Sequence, residues 1–233
     1  MSTFTDYTDI LPDPSNKIGT AGQATTASAA GASAGVGFKN VNFTSNAPIM
    51  RDRTNSGRLI TRAQIFHKWE IKVGYNPMTQ AEFNVINSFL ISRQGSLKPF
   101  FVKLPQYGSG TDLTVATATA GSTSITTQSG QTTQPSVGSI FTVTDSSNTN
   151  HTKAYMITSV ETNTYHNSTE GAVASNTLRI NFTPGLQKAV STGSSLELSN
   201  PMLKVIQKRD AVSYSLDQNN LYSLSLQLEE VTT

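Results

Sequence analysis

The 233-residue sequence predicts a mainly β protein. It indicates a β-sandwich or barrel-like core domain with one α-helix, and a small all-β, barrel-like domain inserted into that core. Three observations lead to this fold class. Apolar residues alternate with polar ones near both ends of the globular part, one segment has helical periodicity, and the composition changes abruptly in the middle of the chain.

The first strand is predicted over residues 65–73. Every second position there is apolar or His67, whereas Lys68, Glu70 and Lys72 occupy the other face. Alternation with a period of two is typical of a half-buried strand. The apolar positions are Ile65, Trp69, Ile71 and Val73.

The single helix is predicted over residues 79–94. Thr79 and Glu82 have the spacing of a capping box, and Gly95 is placed to end the helix in the left-handed conformation. Apolar residues then recur at steps of three and four, which puts Phe83, Ile86, Phe89 and Leu90 on one stripe. Residues 97–105 follow as a short apolar strand bracketed by prolines, which suits the edge of a sheet.

The composition changes at residues 107–110. Of the 90 residues over 111–200, 34 are Ser or Thr and only 8 are charged. Short runs rich in β-branched residues predict the strands of a compact barrel at 124–127, 140–144, 154–160 and 177–182. The Asn- and Ser-rich segments 145–152 and 163–176 are expected to be exposed loops.

The last 33 residues return to the earlier composition. Strands are expected at 203–206 and 212–216, a turn at 217–220, and a strongly alternating strand at 222–228. If this last strand pairs with 65–73, residues 110 and 200 must lie close together. The predicted domains are therefore a discontinuous core of 38–110 and 201–233, and an inserted domain of 111–200.

Residues 1–37 are expected to form a flexible arm. Its segment 19–37 contains only Gly, Ala, Ser, Thr, Gln and Val, which are too small to bury a core. The preceding Phe4, Tyr7, Ile10 and Leu11 could anchor the arm on a neighbouring chain, and a plain disordered tail explains the segment equally well.

The order of these elements resembles the minor tail and distal tail (baseplate) proteins of tailed bacteriophages. The motifs that carry the likeness are the Arg-dotted segment before the first strand, the helix that ends at Gly95, the Lys-Pro-Phe-Phe strand starting at Lys98, and the final Tyr-x-Leu-x-Leu-x-Leu-Glu-Glu strand from Tyr222 to Glu230. They cover about 38–110 and 201–233.

The resemblance implies a structural protein of the virion that is assembled in the host cytoplasm. It implies a homo-oligomeric ring, with six copies expected, that links the tail tube to the hub or receptor-binding apparatus. Its partners would be other copies of itself and other tail proteins. The candidate subunit-interface residues are Phe4, Tyr7, Arg51, Arg53, Arg58 and Arg62, because Arg favours bidentate contacts across interfaces.

Chemical sites are not indicated. The chain has no Cys, and it has no nucleophile elbow or helix-spaced metal-ligand motif. His67 is interpreted as a hydrogen-bonded core or seam residue, whereas His151 and His166 fall in predicted loops. Glu70, Glu82, Glu229 and Glu230 are explained as strand, cap and terminal residues rather than a glycosidase pair. No enzyme activity, cofactor, metal or membrane contact is expected.

The sequence also bears on two other classes of partner, nucleic acids and carbohydrates. The formal charge of +2 is small, so nucleic-acid binding is disfavoured, although 51–72 holds six basic residues against Asp52 and Glu70. The alternative function is a carbohydrate-binding β module that takes part in host-surface adhesion and uses Tyr155, Tyr165 and the Asn-rich loops of 111–200.

Overall fold

The structure is a computed structural model, and it describes residues 9–11, 38–63, 66–104, 106–107 and 110–231. The chain divides into two compact units. The core unit contains residues 11–100 and 205–231, and the barrel unit contains residues 101–204 together with Asp9 and Ile10. The division falls within two strands, β5 and β12. The described parts are mainly β with one α-helix, so the predicted fold class is confirmed.

The described elements follow one another in this order: β1 (Phe38–Asn46), β2 (Ile49–Arg53), β3 (Leu59–Ala63), β4 (Lys68–Tyr75), α1 (Gln80–Ser92), β5 (Phe100–Lys103), β6 (Leu113–Thr114), β7 (Ser124–Thr126), β8 (Ile140–Thr144), β9 (Ala154–Glu161), a 3-10 helix (Ser168–Glu170), β10 (Arg179–Thr183), β11 (Ser195–Glu197), β12 (Met202–Gln207), β13 (Tyr214–Leu216) and β14 (Tyr222–Glu230).

The core unit is built on a sheet with the strand order β1-β4-β14-β12-β5, and β13 pairs with β14. The last strand pairs with the first, which is the condition that the sequence set for a discontinuous core, with Leu226 opposite Val73 and Leu228 opposite Ile71. These apolar side chains share one face because opposing residues of antiparallel strands point the same way. The apolar positions of the alternating pattern therefore form the buried face of this sheet.

Helix α1 begins after Thr79, close to the predicted start. The Glu82 carboxylate accepts hydrogen bonds from the Thr79 amide at 2.9 Å and from the Thr79 hydroxyl at 2.8 Å. Phe83, Ile86, Phe89 and Leu90 are buried as the stripe predicted. The helix ends at Ser92, two residues before the predicted end. Gln94 and Gly95 both adopt positive φ there, at 55° and 66°.

Strand β5 lies at the edge of the sheet, as the flanking prolines indicated. Ile10 forms a parallel bridge with Phe101 of this strand. Ile10 and Leu11 are both fully buried in the chain itself. The sequence offered these two residues as anchors for a neighbour, and that interpretation is wrong because their own chain already covers them. The rest of residues 1–37 lies outside the described residues, and so do Phe4 and Tyr7.

The barrel unit is an antiparallel sheet with the order β6-β11-β8-β9-β10-β7. Its two ends meet where Val115 bridges Thr127 and where the Ala116 amide donates to the Thr126 carbonyl at 2.8 Å. The sheet therefore closes on itself, and no long edge is left open. The core inside includes Phe141, Tyr155 and Phe182, whose rings contact one another.

One part of the barrel unit differs from the sequence expectation. Residues 145–152 were predicted to be an exposed loop, yet Asp145 and His151 are at most 5% exposed. Asp145 accepts hydrogen bonds from the Ser147 and Ser191 amides, both at 2.8 Å. The loop therefore folds back onto the barrel, because the Asp145 carboxylate supplies acceptors for backbone donors of two segments. The other predicted loop, 163–176, is mostly exposed and contains the 3-10 helix.

Candidate subunit interface

Strands β2 and β3 form a hairpin, residues 49–63, which we call the arginine hairpin. Arg51 lies opposite Thr61 and Arg53 opposite Leu59. The turn is held by hydrogen bonds from the Gly57 amide to the Thr54 carbonyl at 2.8 Å and from the Thr54 amide to the Arg58 carbonyl at 3.0 Å. Gly57 has a φ of +80°, which a residue with a side chain rarely adopts. The local sequence therefore specifies the hairpin.

The arginine hairpin exposes apolar side chains on both of its faces. Ile49, Met50, Leu59 and Ile60 are 50–60% exposed. Opposing residues share a face, so Ile49 and Leu59 belong to one face while Met50 and Ile60 belong to the other. Among the described residues these strands pair only with each other. A two-stranded sheet in water is marginally stable, so this hairpin gains most from a covering surface.

The four arginines of the candidate interface all lie on this hairpin. Arg51 and Arg53 are in β2, Arg58 follows the turn, and Arg62 is in β3, and all four are exposed. Asp52 is the hairpin's one acidic residue. The structure therefore brings the predicted arginines together on one element and adds four apolar residues that sequence reasoning missed. The turn signal Asn55-Ser56-Gly57 between two apolar pairs could have revealed the hairpin.

His67 makes contacts that fit a seam residue. Its Nε2 lies 2.8 Å from the Ser45 hydroxyl, and its ring packs edge-on against Trp69 with 4.5 Å between centroids. His67 thus connects β1 to the start of β4.

The sheet face of the core unit carries a network of ion pairs across its strands. Lys68 contacts Glu229 at 2.9 Å, and Lys208 contacts Glu70 at 2.8 Å. Hydrogen bonds from Lys208 and Asn46 hold the pKa of Glu70 below its ordinary value. The hydrogen bond with Glu229 raises the pKa of Lys68. These half-exposed pairs tie neighbouring strands together, each by a modest amount.

The carboxylates that a glycosidase would need are engaged in structural contacts. Glu82 caps α1, and Glu230 accepts a hydrogen bond from the Trp69 amide at 3.2 Å. Among the described residues, no three His, Asp or Glu side chains gather in a way that could hold a metal ion. The described helices include none with the length and apolar character needed to span a membrane.

The two tyrosines proposed for sugar binding differ in their exposure to solvent. Tyr155 is fully buried, with its hydroxyl 2.7 Å from His151 Nε2 and 2.9 Å from the Gln187 amide that donates to it. It is a barrel-core residue, so its expected role as a sugar-contacting side chain is wrong. Tyr165 is 80% exposed in the loop between β9 and β10.

That loop is fastened to the barrel by an ion pair. Arg179 Nη1 lies 3.0 Å from Glu161, and Arg179 Nη2 donates to the Glu170 and Gly171 carbonyls. Burial would raise the pKa of Glu161, but hydrogen bonds from Asn181 and Asn167 together with Arg179 lower it. The charged groups that fasten this loop are therefore engaged in contacts within the chain.

His151 and Asp145 are buried polar residues of the barrel unit, and the pKa of each is also shifted. Burial, assisted by Lys188, lowers the pKa of His151 to about 4. Burial would raise the pKa of Asp145, but hydrogen bonds from the Ser191 and Ser147 amides and from Asn148 outweigh it and bring the pKa to about 2. At neutral pH the imidazole is therefore uncharged and the carboxylate is ionised.

Two comparisons with known proteins bear on this arrangement. Residues 28–107, which include the whole arginine hairpin, match the family described as distal tail protein pb9, A domain, N-terminal. The chain is also 27% identical over 206 residues to the distal tail protein pb9 of Escherichia phage T5, an alignment that covers 84% of this chain and 93% of that protein. Together the two matches confirm the resemblance found in the sequence: the chain is similar to phage distal tail proteins, and this similarity indicates a component of the virion tail.

Proposed function

We propose that this protein is a non-enzymatic ring subunit of the distal tail, with six copies around the tail axis, and that the ring links the tail tube to the hub or receptor-binding apparatus. Its partners are then other copies of itself and the neighbouring tail proteins. The similarity to distal tail proteins supports the location, and the exposed arginine hairpin carries the proposal of self-association.

The hairpin has the composition of a subunit contact. Its four half-exposed apolar side chains supply area that gains free energy when removed from water. Its arginines supply forked donors that bind carboxylates or carbonyls of a partner in a fixed geometry. Because both faces carry apolar residues, the hairpin fits between two surfaces better than against one. A ring, in which each subunit has a neighbour on either side, provides such a position.

Size-exclusion chromatography with light scattering tests the proposal on the purified 25.0-kDa chain. We expect a six-subunit species, and we expect Met50→Ser with Ile60→Ser, or Arg51→Glu with Arg53→Glu, to shift it to smaller species. Leu97→Ser and Val137→Ser are matched controls, because these apolar residues are 69% and 64% exposed and lie outside the hairpin. Hairpin variants that assemble like the unchanged chain would contradict the proposed contact.

The particle itself offers the decisive location test. Electron microscopy of phage tails labelled through this chain should show density at the distal end of the tail tube. Density confined to the capsid, or absence of the chain from the virion, would exclude the distal-tail role.

We also propose that residues 111–200 form an inserted domain that is separable from the core of 38–110 and 201–233. The closed barrel and its own apolar core support independent folding. Asp112 accepts hydrogen bonds from the Leu198 and Ser199 amides, both at 2.8 Å, so the two ends of the insertion lie side by side. Deleting 111–199 and closing the gap with a short linker should leave a folded core by circular dichroism. A wholly unfolded deletion variant would count against the insertion.

The predicted arm, residues 1–37, enters the same proposal as a segment that becomes ordered in the assembled tail. Phe4 and Tyr7 then join the four arginines as interface residues. Hydrogen exchange should be fast over the segment 12–37 in the isolated chain and slower in tails. Equal protection in both states would remove the arm from the interface.

A further inference from the structure

The two faces of the arginine hairpin differ in charge. Residues that lie opposite each other across β2 and β3 share a face, so the register sorts the side chains into two sets. The odd-numbered face carries Arg51 and Arg53 and no acidic residue. The even-numbered face carries Arg62 and Asp52 in diagonal positions across the two strands, so its charges balance. Only the odd-numbered face therefore has unbalanced positive charge.

The arginines of the odd-numbered face are available to another chain. Among the described residues, no carboxylate forms an ion pair with Arg51 or Arg53. Both side chains are exposed. Ile49 and Leu59, on the same face, are 50% and 52% exposed. This face fits a partner that offers both carboxylates and large apolar side chains.

The described acidic residues of a second copy already have partners in their own chain. Each has a hydrogen bond, an ion pair or another such interaction there: Asp9, Asp52, Glu70, Glu82, Asp112, Asp145, Glu161, Glu170, Glu197, Asp210, Asp217, Glu229 and Glu230. The arginines would have to share an acceptor with these contacts. The remaining two acidic residues, Asp6 and Asp13, lie outside the described residues.

Asp6 and Asp13 belong to residues 1–16, which we call the acidic segment. It contains three aspartates and neither Lys nor Arg. It also contains the aromatic residues Phe4 and Tyr7. Its composition therefore has the carboxylates and the apolar side chains that the odd-numbered face fits.

The acidic segment is anchored near its middle. Ile10 and Leu11 are fully buried in their own chain, and Ile10 bridges β5. An extended chain reaches about 13 Å from Ile10 to Asp6 and about 7 Å from Leu11 to Asp13. Both carboxylates are thus confined to the neighbourhood of this anchor, where a second subunit can meet them together.

We propose that the acidic segment of one subunit binds the odd-numbered face of the arginine hairpin of the next subunit. Asp6 and Asp13 pair with the two arginines of that face, and the aromatic side chains of the segment cover its apolar residues. The contact is head-to-tail because segment and hairpin are different parts of the chain, and repeated head-to-tail contacts can close into a ring. This pairing rests on the ring proposal and names the partner of one hairpin face.

Charge reversal on each side of the contact tests the pairing in the full chain. The segment variant combines Asp6→Arg with Asp13→Arg, and the hairpin variant combines Arg51→Glu with Arg53→Glu. Each variant places like charges across the contact. We therefore expect each alone to self-associate at least about tenfold more weakly than the unchanged chain, in a light-scattering concentration series.

Mixing the two variants in equal amounts should restore the six-subunit species. In an alternating ring, the unchanged hairpin of one variant meets the unchanged segment of the other, and the reversed hairpin meets the reversed segment. A contact made within one chain would not be restored by mixing. The control mixture combines the segment variant with Arg62→Glu, a reversal on the even-numbered face. It should leave the segment variant out of the six-subunit fraction.

The outcomes separate this pairing from the ring proposal. A segment variant that assembles like the unchanged chain, or a mixture that stays dissociated, overturns the pairing and leaves the ring proposal standing. A hairpin variant that assembles normally removes the hairpin from the contact and the pairing with it. Entry of the segment variant into rings with Arg62→Glu overturns the assignment to the odd-numbered face. An unchanged chain that stays monomeric at every concentration overturns the ring itself, and the pairing falls with it.

Discussion

The barrel unit and the arginine hairpin are both antiparallel β-structure, but they differ in how their strands are closed and their side chains covered. The barrel closes its sheet through the bridge between Val115 and Thr127 and encloses its own aromatic core. The hairpin has two strands, and the described side chains of these strands are all exposed. A closed sheet supplies stability from within one chain, whereas an open pair of strands has surface to offer to another chain. Stability and assembly should therefore respond to different substitutions.

The largest loss of stability is expected in the barrel core. Phe141 is fully buried, and its ring lies 5.4 Å from those of both Tyr155 and Phe182. Phe141→Ala should lower the free energy of unfolding of the barrel by about 3–5 kcal/mol, since it removes apolar contacts and leaves a cavity. Denaturant titration followed by circular dichroism measures the change. A loss below about 1 kcal/mol would mean that the barrel core is loosely packed.

A somewhat smaller effect is expected from pH. The folded-state pKa of His151, about 4, lies below the ordinary value of 6.5, because burial and Lys188 disfavour the charged form. The unfolded chain therefore binds a proton more readily between these values. Stability is fully present above pH 6.5 and falls as the pH drops towards 4, by roughly 3 kcal/mol. Denaturant titrations at pH 7 and pH 4.5 measure it.

His151→Gln is the control for this pH effect. Glutamine can keep a hydrogen bond with the Tyr155 hydroxyl but does not titrate. Its stability should change much less between pH 7 and 4.5. Asp145, with a pKa of about 2, keeps its charge over this range and contributes a loss only as the pH falls from 3.8 towards 2. An unchanged pH dependence in His151→Gln would assign the effect to another group.

A still smaller effect is expected at the helix cap. Thr79→Ala removes the hydroxyl bonded to Glu82 and should cost about 1 kcal/mol in the stability of the core unit. The melting temperature reports this loss. Thr61→Ala, on the exposed hairpin, is a matched control and should leave that temperature nearly unchanged.

The sequence predicted the elements whose pattern is local. The Leu-rich alternation of β14 and the capping box at Thr79 each specify structure within a few residues, and both were found where expected. The closure of the barrel was less accessible, because β6 and β11 have two and three residues and form only when distant segments meet. The burial of His151 also depends on such a meeting, through Tyr155 and Gln187.

The candidate interface was predicted in part for the same reason. The arginines are visible as a charge pattern, and the sequence assigned them to a subunit contact. Their arrangement on a hairpin depends on the turn at Gly57. The exposure of Ile49, Met50, Leu59 and Ile60 depends on whether other elements pack against these side chains. Apolar residues alone predict burial, so a surface of this kind becomes visible only when the neighbouring elements are in place.

The smallest stability change is expected from a substitution in the hairpin, and it tests the difference between the hairpin and the barrel unit most directly. Ile60 is 52% exposed, so Ile60→Ser removes little buried area and should change the free energy of unfolding of the isolated chain by less than about 0.5 kcal/mol. The same substitution should weaken self-association, because burial of this side chain would occur only at the partner. Denaturant titration and light scattering on one preparation measure both. A large loss of stability together with unchanged association would show that the hairpin packs on its own chain in solution, and the contrast with the barrel would then disappear.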